Sequence, residues 1–197
     1  MNYILPIVSM MSALIIGDSL LRPVHFELEE NPHFNVVFIP GATVESLTDR
    51  LLSVENFSST LWENIKFVWV LVGTNDIGNA LKHNIPFHVG KFADNYRHML
   101  LTILAHKRDI HIVSAGILPR LCDFEFSKPL VNCVNKKLQK VCSRLRVQFS
   151  PVVQPFTFHG IPQEPFYKPD RLHLSRRGAL VLKKAIQKLF SEFNKYH

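Results

Sequence analysis

Five apolar runs rich in β-branched and aromatic residues punctuate the chain, at 12–16, 34–39, 66–72, 110–115 and 147–150. They are nearly continuous in hydrophobicity rather than alternating, the pattern of strands buried on both faces. Between them apolar residues recur at helical spacing. Val44, Leu47 and Leu51 mark a short helix, and Phe92, Tyr96, Leu100, Ile103 and Leu104 a longer one. Val131, Val134, Leu138, Val141 and Leu145 mark a third, and Leu182, Ile186, Leu189 and Phe193 a last one with Ser175 as its N-cap. Strands alternating with helices predict an α/β domain, a parallel sheet covered on both faces. There is no internal repeat, low-complexity tract or long linker. One irregular stretch, 151–169, is rich in Pro, Phe and Gln; a loop of that length is usually functional or mobile.

In a doubly wound sheet, ligands bind beyond the carboxyl ends of the strands. Three polar turns follow the first three strands, Gly17-Asp18-Ser19-Leu20, Pro40-Gly41-Ala42-Thr43 and Gly73-Thr74-Asn75-Asp76, so all three face one rim. A fourth segment, Pro169-Asp170-Arg171-Leu172-His173-Leu174-Ser175, precedes the last helix. A serine hydroxyl becomes a nucleophile only with a base in reach, usually a histidine oriented by a carboxylate. Asp170 and His173 can form such a pair for Ser19. Acyl transfer also needs donors for the developing oxyanion, which a Gly41 amide and an Asn75 side chain can supply. Each residue has a plainer reading. Asp18 or Ser19 caps a strand-to-helix turn, Asp170 begins a capping turn with His173 incidental on the surface, Gly41 satisfies a positive φ, and Asn75 pins its turn.

Length and composition narrow the classes. At 197 residues and 47% hydrophobic, the expectation is one domain over 1–197. No apolar run approaches the roughly 20 residues that span a bilayer. The apolar stretch Met1 to Ile16 lacks a positive n-region, and cleavage after it would remove the first strand, so a signal peptide is not expected. A cytoplasmic or nuclear location is the expectation. Three cysteines, Cys122, Cys133 and Cys142, show no zinc-like spacing and read as free thiols; ten scattered histidines predict no metal site. The net charge of +7 favours an anionic neighbour, nucleic acid or a membrane surface. It concentrates at Lys128, Lys136, Lys137, Lys140, Arg144 and Arg146, and again from Arg171 to Lys195. The alternative is that these are solvated faces of two helices. No RNA-binding aromatic motif or zinc finger accompanies them.

Ser19, Gly41, Asn75 and His173 stand in the order that names the SGNH (GDSL-type) hydrolases, with Gly-Asp-Ser-Leu, Gly-Thr-Asn-Asp and Asp-x-x-His blocks; the chain resembles that family from about residue 12 to its last helix. The resemblance implies a flavodoxin-like three-layer α/β/α fold with a five-stranded parallel sheet, and a serine esterase needing no cofactor or metal. It would make Ser19 the nucleophile, His173 the base, Asp170 its orienter, and the amides of Ser19 and Gly41 with the Asn75 side chain the oxyanion hole. Val72-Gly73-Thr74-Asn75 and the chain length look similar to the platelet-activating-factor acetylhydrolase branch. One position departs from the family pattern: an asparagine commonly precedes the glycine by two residues, where this chain has Ile39. The basic balance also resembles esterase domains in first-open-reading-frame proteins of LINE-type retrotransposons. The expected activity is hydrolysis of carboxylic esters, short-chain acyl or lipid, through an acyl-enzyme. The alternative is a non-catalytic basic module binding RNA or anionic membrane. Phe124, Phe126, Phe156, Phe158, Phe166 and Tyr167 are candidates to wall an acyl pocket, or to pack as satellite core under the long loop.

Overall fold

Alternate residues of the apolar runs face opposite sides of a central sheet, which is why those runs carry almost no polar positions. The computed structural model describes residues 12–53 and 59–196; residues 1–11 of the apolar N-terminal stretch lie outside them. Strands β1 (Ser12–Gly17), β2 (Phe34–Phe38), β3 (Ile65–Leu71), β4 (His111–Ala115) and β5 (Gln148–Ser150) form one sheet in the order β2-β1-β3-β4-β5. All four pairings are parallel. Gly17 is level with Phe38 on one side and Leu71 on the other, so the first three strands end together at one rim.

Helices cover both faces. Leu14, Ile16, Val68 and Val70 point into a core closed by α2 (Val44–Leu52), α3 (Ser59–Asn64), α4 (Thr74–Lys82), α5 (Val89–His106) and α6 (Phe124–Leu145). Ala13, Ile15, Phe67, Trp69 and Leu71 point the other way, against α1 (Arg22–Leu28) and α7 (Arg176–Asn194). The flavodoxin-like three-layer arrangement with a five-stranded parallel sheet is thus present. The helical stripes read from periodicity are the buried ones: Leu47 and Leu51, Tyr96 and Leu100, Val134 and Leu138, Leu182 and Ile186. Burying one such side chain contributes about 2 kcal/mol, so these faces set which way each helix turns. Ser175 caps α7 as expected, its hydroxyl accepting from the Gly178 amide.

Three local features differ from the sequence reading. Thr74, Asn75 and Asp76 are not a turn but the first turn of α4, whose entry Gly73 makes at φ 124°. The short α1 follows directly on a 3-10 turn at Ser19–Leu21, with Pro23 near its start. The irregular stretch is ordered into a 3-10 turn (Gln154–Phe156), a two-residue-loop hairpin of β6 (Thr157–Phe158) and β7 (Ile161–Pro162), and a second 3-10 turn (Glu164–Phe166).

Candidate active site

The corner after β1 is shaped by crowding. A Cβ at Gly17 would overlap the Leu71 carbonyl of β3, so only glycine lets the two strand ends lie this close. Asp18 then leaves the strand and caps the 3-10 turn, its Oδ1 accepting from the Leu20 amide at 2.9 Å. That turn presents Ser19, half-buried, at the rim.

His173 reaches the same point from the far end of the chain. Its Nε2 lies 3.0 Å from Ser19 Oγ, and its Nδ1 lies 2.8 Å from Asp170 Oδ2. Asp170 is fixed in turn by the Leu172 and His173 amides, both donating to Oδ1 at 2.9 Å. Burial alone would push the Asp170 carboxyl up, but the Leu172 amide, the His173 ring and the His173 amide together hold it below the usual range. The turn between them is closed by a bridge of Tyr167 with Leu174, by the Lys168 amide donating to the His173 carbonyl, and by Arg171 at φ 58°. Below it the Tyr167 hydroxyl donates to the Pro119 carbonyl at 2.9 Å, tying the turn to the loop after β4.

The turns after β2 and β3 are locked to each other. Asn75 Nδ2 donates to the Ala42 carbonyl at 2.9 Å, and Asp76 accepts from the Val44 amide at 3.1 Å through Oδ2. Asn75 therefore does pin a turn, and its second amide hydrogen remains for the cleft. Gly41 takes φ 74°, a conformation that favours glycine, and is exposed. Where the family pattern has an asparagine, Ile39 packs against the core and donates its amide to the Gly17 carbonyl at 2.9 Å, extending the β2 ladder to the rim.

Ser19, Gly41, Asn75, Asp170 and His173 line one cleft of about 380 Å³. An adjoining cleft of about 590 Å³ shares Asn75 and Leu172 and is bordered by Leu81, Arg120 and Phe126. Of the six candidate pocket aromatics, Phe126 lines this cleft, and Phe124 lines a smaller one beside it. Phe156, Phe166 and Tyr167 pack into the core on the α7 side, and Phe158 is exposed on the hairpin.

Arg120 was not singled out from sequence. It is buried, with its guanidinium held by both Asp123 oxygens, and its Nη1 donates to the Thr74 carbonyl at 2.9 Å. Gly78 leaves the space: a Cβ there would stand 2.8 Å from either terminal guanidinium nitrogen. Its signal was position, since Arg120 follows β4 at the rim already used by the first three strands. Two carboxyls beneath the rim are displaced upward. Asp18 is pushed up to about 7, chiefly by burial, with the Leu20 amide opposing, Asp76 adding and Arg120 opposing. Asp76 is pushed up to about 6 by burial against the Val44 hydrogen bond. Among the described residues no group of three or more His, Cys, Asp or Glu could hold a metal ion, and no helix is long and apolar enough to cross a membrane.

The family model of the GDSL-like lipase/acylhydrolases matches residues 22–181. No curated protein sequence matches the chain. Solved structures do. A GDSL-like lipase from Bacteroides thetaiotaomicron is similar with TM-score 0.75 at 16% identity, over 95% of this chain and 91% of that one. The lipase/acylhydrolase from Enterococcus faecalis gives TM-score 0.65 at 21% identity, over 89% and 93%. A catalytic mutant of an acetylxylan esterase from Geobacillus stearothermophilus gives 0.67 at 15%, over 90% and 93%. At these identities the likeness is one of fold. The family match is of sequence, and its span carries the Gly41, Asn75 and Asp170-to-His173 segments that the fold gathers around Ser19. The chain belongs to the GDSL-like lipase/acylhydrolase family and is a carboxylic ester hydrolase.

Proposed function

We propose that this protein cleaves short-chain acyl or lipid esters through an acyl-enzyme on Ser19, with His173 as base and Asp170 as its orienter. The observation that carries the reading is the continuous hydrogen-bonded line from Ser19 Oγ to His173 Nε2 at 3.0 Å and from His173 Nδ1 to Asp170 Oδ2 at 2.8 Å. In the first half-reaction His173 takes the Ser19 proton as Oγ bonds to the ester carbonyl carbon. The charge that develops on the carbonyl oxygen meets the Ser19 and Gly41 amides and the free hydrogen of Asn75, where one lost donor typically costs about 3 kcal/mol. The C–O bond to the alcohol then breaks and His173 returns the proton to the leaving oxygen. In the second half a water, deprotonated by His173, attacks the acyl carbon; the Ser19 Oγ–C bond breaks, His173 returns the proton to Oγ, and the acid leaves.

The plain test is hydrolysis of 4-nitrophenyl acetate by the purified protein and by Ser19→Ala. Removing the nucleophile lowers kcat by about 1,000-fold or more, toward the residual rate of the remaining site. Equal rates for the two proteins sink the assignment.

A further inference from the structure

Several cations on the segments that build the site are paired by neighbouring carboxylates. Arg120 is held by Asp123, Arg171 by Glu164 at 3.5 Å, and Arg176 by Glu27 at 3.0 Å. Arg22 and Lys168, which line the Ser19 cleft itself, are exposed and their side chains have no hydrogen bond or ion pair among the described residues. The one carboxylate lining that cleft is Asp170, and both its oxygens are engaged, Oδ2 by the His173 ring and Oδ1 by two amides. Asp18 and Asp76 lie below the rim and are not part of the lining of that cleft, and burial raises both carboxyls above their ordinary range. Lys82, on the wall of the adjoining cleft, is also without a partner among the described residues. Two cations against one carboxylate leave the lining of the Ser19 cleft net positive, and a concave site of one net sign concentrates ligands of the other.

We propose that the ester accepted here carries an anionic group, a carboxylate or phosphate, that sits between Arg22 and Lys168 while the ester carbonyl lies against Ser19. The inference rests on the acyl-enzyme reading of the same cleft and adds its substrate class. Arg22 follows the serine turn and Lys168 precedes the Asp170 turn, and both line the cleft that holds Ser19 and His173, so the chain segments that carry the nucleophile and the base each bring a cation to it. Arginine suits such a group because its planar fork binds two oxygens at once, and lysine because it is a mobile point charge.

The test uses esters matched in acyl group and differing in charge. One pair is 4-acetoxybenzoate and its neutral methyl ester, and a second is dihexanoyl phosphatidate and dihexanoylglycerol, dispersed below their micellar concentrations. The readout is the ratio of kcat/KM for the anionic over the neutral member, so intrinsic reactivity cancels between proteins. In the Arg22→Gln/Lys168→Gln variant that ratio falls about tenfold, mostly through KM, the lower end of what a focusing cleft contributes. In the native protein it also falls as salt is raised from about 20 to about 300 mM, because attraction between exposed charges is screened. A drop in the first pair identifies a soluble anionic ester, and a drop confined to the second a lipid phosphate; either supports the proposal. A ratio within twofold of the native value in both pairs overturns it. If the native protein cleaves no member of either pair faster than Ser19→Ala, the acyl-enzyme reading itself has failed, a separate outcome from an unchanged ratio.

Discussion

Asp18 sits one residue before Ser19 with Oδ1 bonded to the Leu20 amide and Oδ2 buried without a hydrogen-bond partner. Its carboxyl is raised to about 7 from an ordinary value of 3.8, so the folded protein binds a proton there that the unfolded chain releases. The stability this contributes is greatest in acid and is lost as pH climbs from about 4 through about 7. Asparagine keeps the capping oxygen and carries no charge. Asp18→Asn is therefore expected to gain stability relative to the native protein by about 2 kcal/mol more at pH 8 than at pH 5, read by denaturant unfolding. An equal effect at both pH values contradicts a buried, upward-shifted Asp18. The capping role itself was legible in the sequence, as were Ser175 at the start of α7 and the Asp170–His173 spacing. These are local hydrogen bonds over two or three residues, and such bonds need no tertiary information. The displacement of Asp18 does, because it comes from burial in the packed fold, with Asp76 adding and Arg120 opposing from distant strand ends.

At the scale of elements, the feature sequence reasoning missed is α4. Its first turn reads as Gly-Thr-Asn-Asp, a turn-like composition, and Ile77 is the one large apolar side chain it buries completely, too little for a periodic signal. What holds the helix start is Arg120, whose guanidinium lies against Gly78 and takes the Thr74 carbonyl. That contact fixes the peptide leading into Asn75, so under the proposed acyl-enzyme mechanism Arg120 positions the Asn75 donor through α4. Arg120→Lys keeps the charge but loses the planar fork that serves Asp123 and Thr74 together. We expect kcat to fall about tenfold with KM within twofold, in samples shown folded by circular dichroism, because an interaction needed mainly in the transition state lowers kcat first. A native kcat in folded Arg120→Lys contradicts this positioning role. The irregular stretch teaches the reverse lesson: it looked like a long loop, yet its 3-10 turns and hairpin bury Phe156 and Tyr167 and thereby seat the His173 turn.

Across the whole molecule, the site exists because of strand order. With β1 between β2 and β3, three consecutive strand ends meet at one rim, and the loop before α7 returns to cover it. The alternation of apolar runs and helical stripes was enough to predict the parallel sheet, and the carboxyl-end rule was enough to group Ser19, Gly41 and Asn75. No periodicity could bring His173 to Ser19, since the two are separated by 154 positions; the chemistry a serine nucleophile needs made Asp170 and His173 candidates, and the motif resemblance singled that pairing out. Part of the basic excess on α7 is structural, as Arg176 and Lys183 both face Glu27 of α1. The central claim is that these distant residues work as one nucleophile. Labelling with a fluorophosphonate, followed by peptide mass spectrometry, tests it most directly. The account predicts a phosphonyl group on Ser19 of the native protein and a labelling rate lowered about 100-fold or more in His173→Ala, where the hydroxyl has lost its base. Label on another residue, or equal labelling of Ser19 with and without His173, would contradict it.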